Sequence, residues 1–275
     1  DRDMLDFESY AFSISTNNDL FVWDITSPGG INNILLRSNG PEKTFAFETE
    51  SKLKTFVAFE KAANHLQPTF INKVENQNIH SLNQSEFVII THKNFKEAAE
   101  KLATHRNTHD GFNVSVIDIA HIYNEFSSGR VDPTAIRDFC KMLYDRDPNF
   151  KYLLLMGDAS YDYRGLNDQL DYQNYVPTYE TTQSLDPIFA FPTDDYFGLL
   201  SEDEGSDNLR GTLELGIGRI PSQTLGQALG VVDKIINYDT SPTTLGDWKM
   251  RIGFAADDED NNTHVKDADG IAKTT

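Results

Sequence analysis

Apolar and polar positions along this chain follow two different rhythms. From Tyr10 to about Phe59, short apolar runs recur at close spacing: Phe12 and Ile14, Leu20 to Ile25, Ile31 to Leu36, Phe45 and Phe47, then Phe56 to Phe59. Between them stand Thr16-Asn-Asn-Asp19, Ser27-Pro-Gly-Gly30 and Ser38-Asn-Gly-Pro41. Turn residues at such intervals between β-branched and aromatic runs predict an antiparallel β unit. His65 to Gln84, rich in Asn and Gln, reads as a connector.

Beyond it, apolar strands alternate with helical patterns. Phe87 to Ile90 and Val114 to Ile119 predict strands, with a helix over Asn94 to Arg106 between them, which is a βαβ unit. Asp132 is placed to cap the next helix, with Pro133 at its first position and Ile136, Phe139, Cys140, Leu143 and Tyr144 on one stripe. Leu213 to Ile220 predicts another strand, followed by Pro221, a Ser222 cap and the stripe Leu225, Leu229, Val232, Ile235 and Ile236. Arg251 to Ala256 predicts a further strand that runs into acidic residues. The fold class is therefore α/β, a parallel α/β sandwich preceded by a small β-rich N-terminal region. The expected divisions are 1–84, 85–240 and 241–275.

One run carries more information than the rest. Tyr152-Leu-Leu-Leu-Met-Gly-Asp-Ala-Ser-Tyr-Asp162 passes from unbroken apolar residues directly into glycine, carboxylates and hydroxyls. A buried parallel strand reads this way where its carboxyl end opens into a loop, and ligands gather outside such ends in open α/β sheets. The strand at Leu153 is expected to be central. From Asp158 to about Leu209 no long helix is predicted, yet Tyr161, Tyr163, Tyr172, Tyr175, Tyr179, Phe189, Phe191, Tyr196 and Phe197 call for an ordered, packed loop.

Charge narrows the field. Forty-three acidic against 24 basic residues give a net charge of -19, which repels phosphate backbones, so nucleic acid is not an expected partner. No apolar run reaches the roughly 18 residues of a membrane span. The absent initiator Met, and the last residues Val265 to Thr275 read as the opening turns of a helix, are those expected of an excised piece of an exported protein. The single cysteine permits no internal disulfide.

Candidate chemistry is sparse. Cys140 lies on the apolar stripe and reads as core. His105 and His109 are four residues apart but are expected to straddle a helix end, in solvent. His121 follows a strand end and is the most site-like of the early histidines, whereas His65, His80 and His92 have no recognisable spacing. Ser160 lacks the frame of a nucleophile elbow, because Asp162 stands where the second glycine belongs. A carboxylate pair for glycoside hydrolysis has no fixed separation here. The aspartates are richer: Asp158 and Asp162, Asp194 and Asp195, and Asp257, Asp258 and Asp260 are expected along one sheet edge as a candidate pool of hard ligands for Ca²⁺, without the EF-hand pattern. No other cofactor is expected.

Taken in order, Asn78-Ile-His80, Ile122-Tyr-Asn-Glu-Phe-Ser-Ser-Gly129, Asp132-Pro-Thr-Ala-Ile-Arg137, Leu153 to Tyr163, Pro192-Thr-Asp-Asp-Tyr-Phe-Gly198 and Gly216-Ile-Gly-Arg-Ile-Pro221 resemble the gingipain-type cysteine peptidases, family C25. Within that family the likeness is to the sortases of the Bacteroidetes type IX secretion system. It spans nearly all of the chain beyond about Asn76. The resemblance implies a catalytic domain of two caspase-like α/β subdomains with a Cys-His dyad in the second. The family's Gly-His-Gly segment and downstream cysteine do not occur in this sequence, so no catalytic residue is carried over, and neither Cys140 nor His264 occupies a family motif. The implied partners are protein substrates bearing C-terminal secretion signals and other secretion components, at the cell surface. The alternative is a non-catalytic surface binding module on the same α/β frame.

Overall fold

The protein is described from a computed structural model, covering residues 9–27, 29–48, 53–71, 73–167, 173–181, 186, 190–202, 204–205, 209 and 211–274. It divides into two compact units, Asp1–Val74 and Glu75–Thr275. The division falls inside the expected connector.

The first unit is built from two three-stranded antiparallel sheets. Strands β1 (Ser9–Ser15), β2 (Leu20–Ser27), β3 (Gly30–Ile34), β4 (Arg37–Asn39), β5 (Glu42–Glu48) and β6 (Phe56–Glu60) pair in the orders β1-β5-β4 and β3-β2-β6. Strand β4 occupies a stretch the sequence marks as turn; the turn itself is tighter, with Gly40 left-handed at φ 58°. Phe45 and Phe47 of one sheet meet Phe56 of the other, with ring centroids 5.2 and 4.6 Å apart. Aromatic pairs of this kind contribute beyond the area they bury.

The second unit is a three-layer α/β sandwich. Strands β7 (Phe87–Thr91), β8 (Val114–Asp118), β9 (Tyr152–Met156) and β12 (Gly216–Ile220) form a parallel sheet in the order β12-β9-β7-β8, so the Leu153 strand is interior as expected. Two further two-residue strands, β10 (Tyr179–Glu180) and β11 (Pro192–Thr193), form a small hairpin in the long connection between β9 and β12. Because successive strand residues face opposite sides, Val88 and Ile90 point to one layer and Ile89 to the other. The first layer holds α2 (Ile119–Phe126) and α3 (Pro133–Arg146), whose Ile122, Ile136, Phe139, Cys140 and Leu143 are buried. The second holds α1 (Lys96–His105) and α4 (Leu225–Thr240), through Phe95, Ala98, Leu102, Ala228 and Val232.

The helix ends follow local chemistry. The Asp132 side chain caps α3 by accepting from the Thr134 amide, with Pro133 next. The α4 cap is Thr224 and not Ser222: Thr224 and Gln227 form a reciprocal capping box, while Ser222 is buried. Two further expectations are corrected. The strand predicted over Leu213 to Ile220 is shorter, and residues 251–257 form no strand. Arg251, Ile252 and Phe254 are exposed and pair with no described strand. An apolar run carries the same signal whether or not a sheet edge is available to hydrogen-bond it. Past it, α5 (Glu259–Ala272) opens with Asp260, Asn261 and Asn262 in left-handed conformation and buries nothing. No described helix is long and apolar enough to cross a membrane.

Candidate functional site

The carboxyl ends of β9 and β12 meet at one side chain the sequence does not single out. Arg219, on β12, donates from all of its guanidinium nitrogens. Nε and Nη2 grip Asp194 Oδ2 and Oδ1, both at 2.7 Å. Nη1 reaches the carbonyls of Gly157 at 2.8 Å and Val176 at 2.6 Å, and Nη2 reaches that of Pro177 at 3.0 Å. Only 14% of the Arg219 side chain and 22% of Asp194 are exposed. The planar fork of arginine suits this task because each N–H points in a fixed direction. It ties the end of β9, the return of the loop and the turn before Tyr196 into one rigid block.

Glycine makes that junction possible. Gly157 has φ 145°, and a Cβ there would stand 2.8 Å from the Cβ of Tyr175 and 3.1 Å from Cγ2 of Val176. The chain folds back at this point, and the amides of Tyr175 and Val176 donate to the Asp158 carbonyl at 2.9 and 3.2 Å. Tyr175 in turn packs on Phe95 and on His92, which follows β7, with ring centroids 4.8 and 5.2 Å away. Burial holds the His92 imidazole below its ordinary pKa, with a smaller opposing influence from Asp118. The Tyr179 ring stacks on Tyr196 at 3.9 Å and Phe197 is fully buried, so this part of the loop is packed, whereas Tyr161 and Phe191 are exposed. Tyr172 and Phe189 lie outside the described residues.

Above this block the loop leaves two adjoining hollows. One, of about 430 Å³, is lined by Ser160, Tyr161, Thr178, Glu180, Thr181 and Pro192 among others. The other, of about 450 Å³, is lined by Tyr161, Tyr163, Arg164, Leu166 and Glu180 among others. Glu180 is shared by both, and burial raises its carboxyl above the ordinary range. Perturbed carboxyls in clefts are a mark of binding sites. A sequence reading has no means to find Glu180, since its place depends on a two-residue hairpin.

The seven aspartates are placed separately. Asp158 accepts from Gln223 Nε2 at 2.7 Å, and Asp162 accepts from the amides of Leu166 and Asn167 at 2.9 and 2.6 Å. Those backbone hydrogen bonds hold the Asp162 carboxyl below its usual range. Asp194 is committed to Arg219, and Asp195 begins a short 3-10 turn. Asp257 pairs with His264 at 2.7 Å, while Asp258 and Asp260 flank the start of α5. Among the described residues the structure does not gather three of these carboxylates, and the grouping it does make is His105, His109 and Asp239.

Nor does the chain hold a reactive thiol. Cys140 is fully buried in α3, and burial pushes its thiol far above the ordinary range. His121 lies exposed on α2, where its backbone carbonyl accepts from Gln77, and its neighbour Asp118 serves as the helix cap.

A parallel sheet with helices on both faces and a loop-built cleft outside the strand ends is an arrangement shared by many α/β enzymes. Residues 80–275 match peptidase family C25, a family of cysteine peptidases, and the chain belongs to that family. It is similar in structure to dimeric latent PorU from Porphyromonas gingivalis, with a TM-score of 0.74 and 26% identity over 94% of this chain. That alignment covers 25% of the PorU chain, so the present chain spans about a quarter of its length. No curated protein matches the chain.

Proposed function

We propose that this chain is the N-terminal β unit, the first α/β subdomain and the start of the second in a gingipain-like cysteine peptidase that acts as a sortase at the cell surface. The observation that carries the reading is the C25 match over residues 80–275 on a fold similar to PorU. In such an enzyme a histidine takes the thiol proton and the thiolate attacks the carbonyl carbon of the cargo's scissile bond. The C–N bond breaks and the amine of the released C-terminal signal leaves with that proton. The resulting thioester passes its acyl group to an amine acceptor or to water, and the thiol is regenerated. None of those reacting groups is assigned to a residue here. The part played by this chain is scaffold and one wall of the cleft, with the Arg219 block fixing the loop that carries Tyr161 and Glu180.

A thiol-directed peptidyl probe tests this. It should leave the 275-residue chain unlabelled and label a longer gene product that contains a Gly-His-Gly segment and a downstream cysteine. Labelling of the short chain that disappears in Cys140→Ala would overturn the assignment of Cys140 to the core. A folded longer product that does not react would favour a non-catalytic binding module, to which the two loop hollows are also suited. Ca²⁺ binding by the aspartate pool is tested separately, by calorimetric titration at millimolar Ca²⁺. Heat together with a raised melting temperature supports it, and the absence of both removes it.

A further inference from the structure

The end of α1 does not fray into solvent. It continues as one π-helical turn, Arg106–Asp110, closed by left-handed Gly111. Wider turns of this kind are frequent at functional sites. Here the turn keeps His105 and His109 on one face, their rings stacked with centroids 5.0 Å apart. Asp239, next to last in α4, faces them, with Oδ2 2.8 Å from His105 Nε2. One ligand atom from each of the three lies within 4.8 Å of the others.

From this geometry we infer that His105, His109 and Asp239 form a binding site for a transition-metal dication of the Zn²⁺ class. Two imidazoles and a carboxylate are a borderline donor set that suits Zn²⁺ and leaves a fourth tetrahedral position for water. The surroundings favour the ligating form of His109. Asp110 sits 2.7 Å from His109 Nδ1, and a proton held there leaves Nε2 with a free lone pair, the carboxylate–histidine arrangement common at zinc sites. Arg106 bridges Asp110 and Asp239, at 2.8 and 3.0 Å, through one oxygen of each. That fixes the Asp239 carboxylate while leaving its other oxygen free of Arg106. With neutral imidazoles, Arg106, Asp110 and Asp239 sum to one negative charge, which a dication offsets. Opening the short His105–Asp239 contact by a fraction of an ångström admits the ion.

The location assigns the role. Parallel strands and their crossovers place the C-terminal ends of α1 and α4 at the amino edge of the sheet, where Phe112 packs on Phe87 and Tyr152, the first residues of β7 and β9. This is the edge opposite Gly157 and the loop hollows. A metal here clamps the two helices of one layer together and does not touch a bound peptide.

Titration calorimetry with ZnCl₂, and with Co²⁺ followed by its visible absorption, tests the site in untagged protein. Expected are one Zn²⁺ per chain, tetrahedral Co²⁺ bands and a melting temperature raised by Zn²⁺. His109→Ala, at a half-exposed position that leaves the core intact, should weaken Zn²⁺ at least about tenfold and abolish its effect on melting. Asp110→Asn should weaken binding by about tenfold through the lost orientation of His109. His264→Ala should bind as the parent does. No saturable Zn²⁺ binding, or binding unchanged in both His109→Ala and Asp110→Asn, overturns the inference.

Discussion

Arg219 shows how much of the cleft rests on one side chain. Its five donated hydrogen bonds go to Gly157 just after β9, to Val176 and Pro177 on the returning loop and to Asp194. Arg219→Ala leaves a half-buried carboxylate and three carbonyls without that partner, and we expect a loss of about 3 kcal/mol in urea unfolding. Arg219→Lys should recover less than half of it, because an ammonium has three donors and no planar fork. Tyr123 on α2 is the opposite case. Its hydroxyl is buried without a hydrogen-bond partner, and burial pushes its ionisation far above the ordinary range. Since an unsatisfied buried hydroxyl costs about 1 kcal/mol or more, Tyr123→Phe should stabilise the protein by about 1 kcal/mol. A destabilised variant would show that the hydroxyl has a partner after all. At this scale the sequence is legible only where partners are close in the chain. Asp132 and Pro133 announce α3, because capping is settled within three residues. Arg219 announces nothing, because its acceptors lie in loops far upstream.

Among elements, α2 and the segment before β7 are joined through Glu125. Its carboxylate accepts from the Gln77 side chain at 2.8 Å and from the Ile79 amide at 2.7 Å, and pairs with His80 at 2.5 Å. Burial alone would raise this carboxyl, but the hydrogen bonds outweigh it and hold it at about 2. A carboxyl depressed in the folded state stabilises fully above its unfolded value, about 4.5. That contribution fades as pH falls from there toward 2. Glu125→Gln should therefore lower stability at neutral pH and flatten the fall in melting temperature between pH 5 and pH 2. An unchanged acid limb would place the pH sensitivity elsewhere. The elements themselves were mostly legible, since apolar period separates strands from helices. What periodicity could not show was the π turn after His105, because a single wide turn leaves the apolar stripe of α1 unchanged. The missing strand after Arg251 is the converse, a correct pattern without a described sheet edge to join.

At the scale of the molecule, the two units are joined by a stretch with little to hold it. Leu66, Phe70 and Ile71 are almost fully exposed, and residues 64–71 make no regular structure. Limited proteolysis should cut there first and release a fragment that begins between residues 65 and 72, contains the whole second unit and keeps its cooperative melting transition. Simultaneous cleavage within β7 to β9 would contradict the division. The parallel sheet has another consequence, for how the chain comes to be folded. Tyr152 at the start of β9 lies opposite both Phe87 and Gly216, so the central strand's two neighbours are remote from it in the chain, one on each side. Each pairing closes a long loop before any contact rewards it, which slows assembly of the sheet. During synthesis, Leu153 to Met156 can pair with the strand already made, but one hydrogen-bonding edge of this apolar segment stays open until Gly216 to Ile220 has emerged. An open apolar edge invites pairing with other chains. The hazard for this fold is greatest before it is complete, and it is aggregation of nascent chains.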